Sequence, residues 1–529
     1  MPASSAAGTY PVDDAFELPP LTTLVAGAEL PPAVPLSDGV TAEQRLDAFY
    51  FDTPDLRLAA AGLTLRRSTG GNGSGWHVRL PAGTGTGEEI RLPPGRVPPG
   101  RTPREVPDRV QSLVWARTHG RPLQPVARIT TERTLRRLCD PTGQVLLEVA
   151  DDRVTGQRLS TLDGSGRATS APVHWRELDV TAGAGDLAAA LDACLREQGV
   201  RATETSTLAR VLDGGRPRLR PGRRKADSAR RPKPKRTSAA GEVLLAHLRA
   251  QVDQVHDQDL PVRLDAPDAV HKMRVATRRL RSALRTFGPL VDPAVARPLR
   301  DELKWLAAEL GAARDAEVMR ERVRAAVADE HPDLPVRAGA EAALAELDQI
   351  YRAAHDRVLA ELDGDRYHRI LLTLCGLVEQ PPLWKKAGKA AGTVLPGLVG
   401  GSFDRVRRLV ERAGSLPDGA ERDEVLHDAR KAAKEARYAG ESVAAVFGDD
   451  ATAFAAAMEG VQEALGEHQD SLLTRERLHE LALRATSPEV AFLYGRLHAR
   501  EEQRAGQLQQ RFDAAWNAAT RKRLHRWLA

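Results

Sequence analysis

The sequence predicts an α+β protein of two domains, a strand-rich domain followed by an all-α domain. The first part of the chain, to about residue 212, is rich in Gly, Pro, Thr and Val and alternates apolar with polar residues. From about residue 238, apolar residues recur at three- and four-residue steps, which is the helical period. A basic stretch with few apolar residues separates the two patterns. We therefore predict domains at 1–212 and 238–529, joined by a linker at 213–237.

Short alternating runs predict the strands of the first domain. In WHVRL, Trp76, Val78 and Leu80 alternate with His77 and Arg79, so one face of that strand is polar. Such a face turns to solvent in an open sheet, or lines the interior of a closed barrel around a charged ligand. Near the end of the domain, AGDLAAALDACLREQG predicts a helix. The predicted strands are GLTLRRS, GWHVRLP, EEIRLPP, ARITTERTLRRL, VLLEVADDRV and VHWRELDV.

The linker accounts for the net positive charge of the chain. Arg216–Arg236 holds eleven Lys and Arg against one acid, Asp227. The 529-residue chain has a net charge of +5, so subtracting +10 leaves −5 for the remainder. Its composition cannot supply a core, which predicts a disordered segment. It is either a solvated tether or a segment that contacts polyanions non-specifically, nucleic acid among them.

Two predicted helices of the second domain carry the same basic stripe. Within each stripe the residues are spaced by 3, 4, 3 and 4, so they share one helical face. Like charges on one face repel each other, which predicts an anionic partner, best a long polyanion. The alternative is a solvated face paired with acids of neighbouring helices. The stripes, related by an offset of 156, are His271, Arg274, Arg278, Arg281, Arg285 and His427, Arg430, Lys434, Arg437, Glu441.

The repeat extends beyond the stripes. LGAARDAEVMRERV from Leu310 matches LGEHQDSLLTRERL from Leu465 at an offset of 155, and an acid, Asp315 or Asp470, recurs in each. We expect these acids to hold stripe arginines in position. Two tandem antiparallel helical bundles follow from the repeat. The predicted buried faces beneath the stripes are Val270, Met273, Ala276, Leu280, Leu284, Phe287 and Leu426, Ala429, Ala432, Ala436, Gly440, Val443.

The doubled HxxR…RxxLR and LGxxxD pattern over residues 240–529 resembles the CHAD family, the conserved-histidine α-helical domains. The resemblance implies two four-helix bundles related by pseudo-twofold symmetry, with a basic channel that binds inorganic polyphosphate or a similar polyphosphorylated anion. It implies no cofactor. The implied channel residues are His271, Lys272, Arg274, Arg278 and Arg281 on one wall and His427, Arg430, Lys431, Lys434 and Arg437 on the other.

The runs FYFDTPDLRLAAAGLTLRRS, TTERTLRRL, LEVADDRV and WRELDV, within about residues 40–212, resemble the CYTH domains of triphosphate tunnel metalloenzymes. The resemblance implies an eight-stranded antiparallel β-barrel whose lumen binds triphosphate with Mg²⁺ or Mn²⁺. The implied triphosphate-binding residues are Arg66, Arg79, Arg91 and Arg133, and the implied metal ligands are Glu148, Asp151, Glu177 and Asp179.

The chain departs from the tunnel pattern at both ends of this domain. The family has an ExExK strand where this chain has SSAAGTY, with Ser5, Ala7 and Thr9 at the functional positions. It also has a closing lysine where this chain has Thr207. A metal site for phosphate chemistry needs those carboxylates. We therefore predict polyphosphate binding with a degenerate tunnel; the alternative is a Mg- or Mn-dependent triphosphatase acting on tripolyphosphate or nucleoside triphosphates, with catalytic residues unassigned.

The cysteines and the hydropathy pattern predict the compartment. Cys139, Cys194 and Cys375 are far apart and no CxxC occurs, so neither a zinc site nor a disulfide framework is indicated. No signal-peptide pattern and no uninterrupted apolar stretch of about 18 residues is present. A cytoplasmic protein without a membrane partner is expected.

Overall fold

The computed structural model describes residues 5–24, 37–80, 89–93, 105–140, 143–160, 168–182, 185–203, 205–212, 233–328, 336–417, 419–485, 487–505 and 508–528. The chain divides into two compact units, Met1–Arg231 and Pro232–Ala529. Most of the predicted linker, residues 213–232, lies outside the described residues. Residues 233–237 belong to the second unit, where the backbone N–H of Gly392 donates to the carbonyl of Arg236 at 2.8 Å.

The first unit is an antiparallel sheet of eight strands in the order β1-β8-β7-β6-β2-β3-β4-β5. All six predicted runs form strands, β3 to β8. The strands are β1 Ser5–Val12, β2 Ser37–Asp52, β3 Thr64–Thr69, β4 Gly75–Arg79, β5 Glu89–Leu92, β6 Gln124–Cys139, β7 Val145–Arg158 and β8 Val173–Ala182. The helices are α1 Leu21–Leu24, α2 Arg57–Ala60, α3 Asp108–Thr118, α4 Gly185–Glu197 and α5 Thr207–Leu212; α4 is the helix that the sequence predicted.

The expected closed barrel is not found among the described strands. The sheet has two edges, β1 and β5, and no described pairing joins them. The edge strand β5 has only four residues, and its pairing with β4 runs from Trp76↔Leu92 to Arg79↔Glu89. A strand this short offers few backbone groups for a further partner. The antiparallel sheet is confirmed, whereas the described residues form an open sheet.

Pairing register assigns each residue of the sheet to one of two faces, because directly opposed residues of antiparallel strands share a face. One face packs against α4 through a buried apolar cluster that includes Tyr10, Leu178 and Leu191. On the other face Arg133 lies opposite Asp152, and Asp152 lies opposite Glu177. We call this second surface the polar face. Its charged residues include Arg66, His77, Arg79, Glu89, Arg91, Arg133, Arg137, Glu148, Asp152, Glu177 and Asp179.

The FDTPDLRL run has a structural role at the end of β2. The buried Asp52 carboxylate accepts hydrogen bonds from the backbone N–H groups of Thr53 at 2.7 Å and of Leu58 and Ala59 at 2.9 Å. These are donors at the start of α2 that would otherwise lack partners. Leu56, in the turn between β2 and α2, adopts the left-handed conformation with φ of 56°. The run therefore fixes the turn that leads from β2 through α2 into β3.

The second unit is helical, as predicted. Two pairs of helices of matching rank in its two halves have equal lengths, since α6 and α11 have 24 residues each and α8 and α13 have 36 each. The first half comprises α6 Ala240–Arg263, α7 Ala269–Thr286, α8 Pro293–Ala328, α9 Val336–Leu362 and α10 Asp365–Glu379. The second comprises α11 Ala391–Gly414, α12 Ala420–Phe447, α13 Asp449–Arg484, α14 Pro488–Ala505 and α15 Leu508–Ala519.

Packing in the second unit follows the repeat. In each half the basic helix, α7 or α12, packs between the helix before it and the helix after it. The halves meet through helices of equal rank, because α7 contacts α12 and α9 contacts α14. All six core residues predicted for α7, of which Phe287 lies just after the end of the helix, are buried. Five of the six predicted for α12 are buried as well. The exception is Leu426, which is partly exposed, while the adjacent Val425 is 5% exposed and takes its place.

No helix within the described part of the chain is both long enough and apolar enough to cross a lipid bilayer.

Candidate functional site

The two basic helices bring their stripes together. The Arg278 guanidinium on α7 is repelled by Arg274 and Arg281 of its own helix and by Arg430 of α12. The Lys434 ammonium on α12 is repelled by Arg278 and Arg274 of α7 and by Arg430 and Arg437 of its own helix. We call this set the basic cluster. It comprises Arg274, Arg278, Arg281, Arg430, Lys434 and Arg437.

Arg278 and Lys434 occupy the centre of the cluster without a counter-ion. Neither has a carboxylate partner among the side chains that the structure describes. Burial, and then repulsion by Arg274, Arg281 and Arg430, lowers the pKa of the Arg278 guanidinium. Burial and the neighbouring guanidinium groups lower the pKa of Lys434 to about 7. The free protein thus holds concentrated positive charge at a cost that a bound anion would offset.

Ion pairs fix the two helices against each other beyond this centre. Arg279 of α7 bonds Glu441 of α12 at 2.8 Å, and Arg285 of α7 bonds Glu435 of α12. The repeat offset relates these pairs, since 279 + 156 is 435 and 285 + 156 is 441. Glu435, the repeat equivalent of Arg279, therefore contacts Arg285, and Glu441, the repeat equivalent of Arg285, contacts Arg279. The two pairs are thus reciprocal. Glu441, the last stripe residue, acts as an anchor and also accepts from Arg437 at 2.8 Å.

Two predicted lysines lie outside the centre of the cluster. Lys272 is 52% exposed and 4.0 Å from Asp268, and Lys431 is 58% exposed and 3.1 Å from Asp428. Both are exposed pairs of little energetic value. The side chain of His271 is partly buried, and its pKa is lowered by burial and by the Arg314 and Arg274 guanidinium groups. His427 is also partly buried on the equivalent turn of α12.

Two glycines that the sequence analysis did not single out lie against the cluster. A Cβ placed on Gly311 of α8 would lie 3.4 Å from Nε of Arg274, and one on Gly466 of α13 would lie 3.1 Å from Nε of Arg430. Both glycines belong to the repeated LG pairs, which was the available signal. Asp315, expected to hold a stripe arginine, is 76% exposed and 4.0 Å from Arg274, so it holds that group only loosely. The side chain of Asp470 lies outside the described residues.

The predicted triphosphate-binding arginines all lie on the polar face of the sheet. Arg66 bonds Glu89 at 2.6 Å, and Arg91 lies 3.3 Å from the same carboxylate. The hydrogen bond from His77, followed by the charge of Arg66, lowers the pKa of Glu89 to about 2. Arg79, opposite Glu89 in the register, is exposed. Glu89 therefore contacts two arginines and His77, and it was missed because it looked like the polar residue of a short strand.

Arg133, the fourth predicted triphosphate-binding residue, is neutralised within the sheet. It makes a bidentate pair with Asp152, at 2.8 and 2.6 Å, and lies 3.8 Å from Asp179. Planar guanidinium and carboxylate groups form strong pairs in this geometry. The group is therefore held by acids of the sheet in the free protein.

Of the four predicted metal ligands, three share the polar face and Asp151 does not. Asp151 projects from the opposite face, where Arg176 holds it through two hydrogen bonds of 2.8 and 2.7 Å. Adjacent residues of a strand point to opposite faces, so only one acid of the Asp151-Asp152 pair can face Glu177. The register places Asp152 there. Asp152, rather than Asp151, is therefore the acid that shares a face with Glu177.

The acids that remain on the polar face do not fit a Mg²⁺ or Mn²⁺ site. Arg137 bonds Glu148 at 2.5 Å, the Trp175 indole N–H donates to Glu177 at 2.9 Å, and the Thr9 hydroxyl donates to Asp179 at 3.3 Å. These ions need several free, convergent oxygen ligands. Strand β1, SAAGTYPV, contributes no carboxylate.

One end of the polar face is covered by α5. Helix α5, which begins at Thr207, packs Leu208, Val211 and Leu212 into a buried cluster with Ile129 and Val154 of the sheet. From the same helix, Arg210 approaches Glu177 to 3.5 Å. Apolar side chains and a paired arginine of α5 therefore occupy this end of the face, and the helix begins at Thr207, which stands where the family has its closing lysine.

Comparison with known proteins places these features in a family. The CHAD domain matches residues 246–479. Two curated proteins of Mycobacterium tuberculosis, the uncharacterized proteins MT2285 and Rv2226, are each 34% identical over 485 residues, covering 89% of this chain and 89% of theirs.

Two solved structures are also similar to this chain. PptA from Streptomyces chartreusis is 25% identical and covers 53% of this chain and 100% of its own, with a TM-score of 0.44. The CHAD domain from the plant Ricinus communis is 28% identical and covers 54% of this chain and 93% of its own, with a TM-score of 0.43.

Proposed function

Because this chain belongs to the family of the two mycobacterial proteins and contains a CHAD domain at residues 246–479, we propose that it binds inorganic polyphosphate. The CHAD domain is linked to polyphosphate binding. The proposed site is the basic cluster of α7 and α12, with His271, Lys272, His427 and Lys431 beside it.

The observation that carries this proposal is the uncompensated pair Arg278 and Lys434. Polar groups buried for structural reasons normally acquire partners, whereas these two cations face further cations. The guanidinium fork of an arginine matches adjacent phosphate oxygens, and the lysine acts as a point charge. A chain with about one charge per phosphate can contact several of these groups in succession and release its own counter-ions.

We further propose that the site is a channel between two four-helix bundles related by a pseudo-twofold axis. The support is the matched lengths of α6 with α11 and α8 with α13. The reciprocal pairs Arg279–Glu441 and Arg285–Glu435 support the same axis.

Binding should depend steeply on ionic strength. If about six phosphates are neutralised, affinity of the full chain for long-chain polyphosphate should fall roughly 10²- to 10³-fold between about 50 and about 200 mM KCl. A titration followed by fluorescence anisotropy or calorimetry at several salt concentrations gives this slope. A matched control replaces Lys385 and Lys386, exposed cations outside the cluster, with glutamate. Affinity that does not change with salt, or that the control abolishes, would count against the site.

The first domain is proposed to be a degenerate triphosphate-binding domain of the CYTH kind, in which the described strands form an open sheet rather than a closed tunnel. Support comes from the polar face, where Arg66 and Arg133 lie with the acidic residues. In an active tunnel those groups would bind triphosphate and a metal, whereas here they neutralise one another. The alternative function, a Mg- or Mn-dependent triphosphatase, requires several of these pairs to break before a metal could bind.

We accordingly expect no hydrolysis of tripolyphosphate or ATP above background with Mg²⁺ or Mn²⁺. The physical reason is that Glu148, Asp152 and Glu177 are already bound by N–H donors of arginine or tryptophan. Phosphate release by the full chain is the measurement. Metal-dependent turnover that disappears in Glu177→Gln would establish the triphosphatase and refute the degenerate tunnel.

The basic linker and the compartment complete the proposal. We propose that residues 213–237 add non-specific contact with polyanions, including nucleic acid, through their charge alone. Such contact would survive changes in the basic cluster and disappear on deletion of the linker. Within the part of the chain that the structure describes, no disulfide joins the three cysteines, which suits a reducing cytoplasm.

A further inference from the structure

We propose that Gly311 and Gly466 are positioning residues. Because neither has a side chain, the guanidinium group of one arginine of the basic cluster can lie directly against the helix backbone at each glycine. The inference rests on the proposed function and adds to it, because neither glycine has a side chain that could touch a ligand. Both act through the arginine beside them, Gly311 on Arg274 and Gly466 on Arg430.

The geometry is clearest at Gly466. A Cβ on this residue would lie 3.1 Å from Nε, 3.1 Å from Nη2 and 3.4 Å from Cζ of Arg430. Three guanidinium atoms at nearly equal distances show that the group lies across the glycine. At Gly311 the corresponding distances to Nε, Nη2 and Cζ of Arg274 are 3.4, 3.6 and 3.9 Å. The same arrangement is present there with slightly more room.

Helix stability does not explain these glycines. Glycine in a helix interior makes the folded protein less stable than alanine does, because glycine gives the unfolded chain more conformational freedom and leaves the helix backbone more exposed to water. Both residues lie inside 36-residue helices, α8 and α13. Gly460, one and a half turns earlier in α13, has no atom within 4 Å of its Cβ position. Of the two α13 glycines, Gly460 and Gly466, only Gly466 packs closely against an arginine.

The repeat provides independent support. The two glycines are 155 residues apart and the two arginines 156 apart, so the contact occurs once in each half. The Nε atom of Arg274 is buried and has no hydrogen-bond partner among the described residues. Packing against the helix, rather than a hydrogen bond from Nε, therefore fixes this part of the side chain. An arginine held in this way loses less side-chain entropy when it binds phosphate.

The test compares Gly→Ala variants of the full chain by their affinity for long-chain polyphosphate. Gly466→Ala should weaken binding roughly 2- to 12-fold, the range expected when a side chain is pushed off its preferred rotamer. Gly311→Ala should change affinity little, because a methyl group there would meet the Arg274 guanidinium at an ordinary van der Waals distance. Gly460→Ala is the matched control and should bind as the unmodified chain does. Melting temperatures should be unchanged or higher in all three, which a merely structural role would not produce.

A double-mutant cycle decides whether Gly466 acts through Arg430. In an Arg430→Ala background, adding Gly466→Ala should cost no further affinity, because the group that the methyl displaces is gone. Additive losses, or full affinity in Gly466→Ala, would overturn the inference while polyphosphate binding by the unmodified chain still stood. Failure of the unmodified chain to bind would instead refute the proposed function.

Discussion

Replacing both Arg278 and Lys434 with glutamate is expected to abolish polyphosphate binding. Each change removes one charge-assisted contact, and two such contacts together are worth roughly 10²- to 10⁴-fold in affinity. The introduced carboxylates also repel the ligand, so the loss should reach the upper end of this range. Calorimetric or anisotropy titration with long-chain polyphosphate at low salt measures the effect.

Stability separates loss of the site from loss of the fold. The central cations repel one another in the free protein, so the double variant should melt no lower than the unmodified chain. The double replacement of Lys385 and Lys386 with glutamate changes net charge by the same amount on an exposed surface and should retain most of the affinity. Unchanged affinity in the Arg278 and Lys434 variant would exclude the basic cluster as the binding site.

Polyphosphate affinity should decline as pH rises above 7, by up to about tenfold per pH unit. The pKa of Lys434 in the free protein is about 7, so much of it is neutral at higher pH. A bound polyanion raises that pKa, and binding therefore takes up a proton between the free and bound pKa values. Proton uptake appears in calorimetry as a dependence of the binding enthalpy on the ionisation enthalpy of the buffer.

The other groups facing Lys434 allow this effect to be isolated. Arg274, Arg278, Arg430 and Arg437 keep their charge throughout this range. The pKa of His271 lies below its usual value, so its titration is confined to lower pH. Lys434→Arg should consequently bind with an affinity that is nearly constant from pH 7 to pH 9. Equal pH dependence in Lys434→Arg would assign the proton to another group.

Helical periodicity made the basic cluster predictable. Spacings of three and four fix which residues share a helical face, and the repeat indicated that α7 and α12 have equivalent roles. The same spacing predicted the buried face beneath Arg278. Periodicity does not report how deeply a side chain lies once two helices meet, so the lowered pKa of Lys434 was not predictable. Nor could it distinguish Gly466 from Gly460, because the difference depends on a neighbouring helix.

The sheet shows what the alternation of residues along a strand can and cannot predict. Alternation predicted a charged face, and Arg66, Arg133, Glu177 and their neighbours do lie on it. In VADDRV two acids are adjacent, and the pattern alone cannot say which of Asp151 and Asp152 faces which way. The register with β8 decides it, and that register depends on pairing along the whole strand.

The reciprocal pairs Arg279–Glu441 and Arg285–Glu435 have a consequence for the kind of polymer that suits the cluster. Under the proposed pseudo-twofold axis, the first four stripe positions present a histidine and three cations in the same order from either end, whereas the fifth is Arg285 in α7 and Glu441 in α12. Inorganic polyphosphate has no chemical polarity, so it can enter in either sense with equal affinity. A nucleic acid strand runs 5′ to 3′ and would meet the second half in reverse. A palindromic surface of this kind therefore favours a directionless chain.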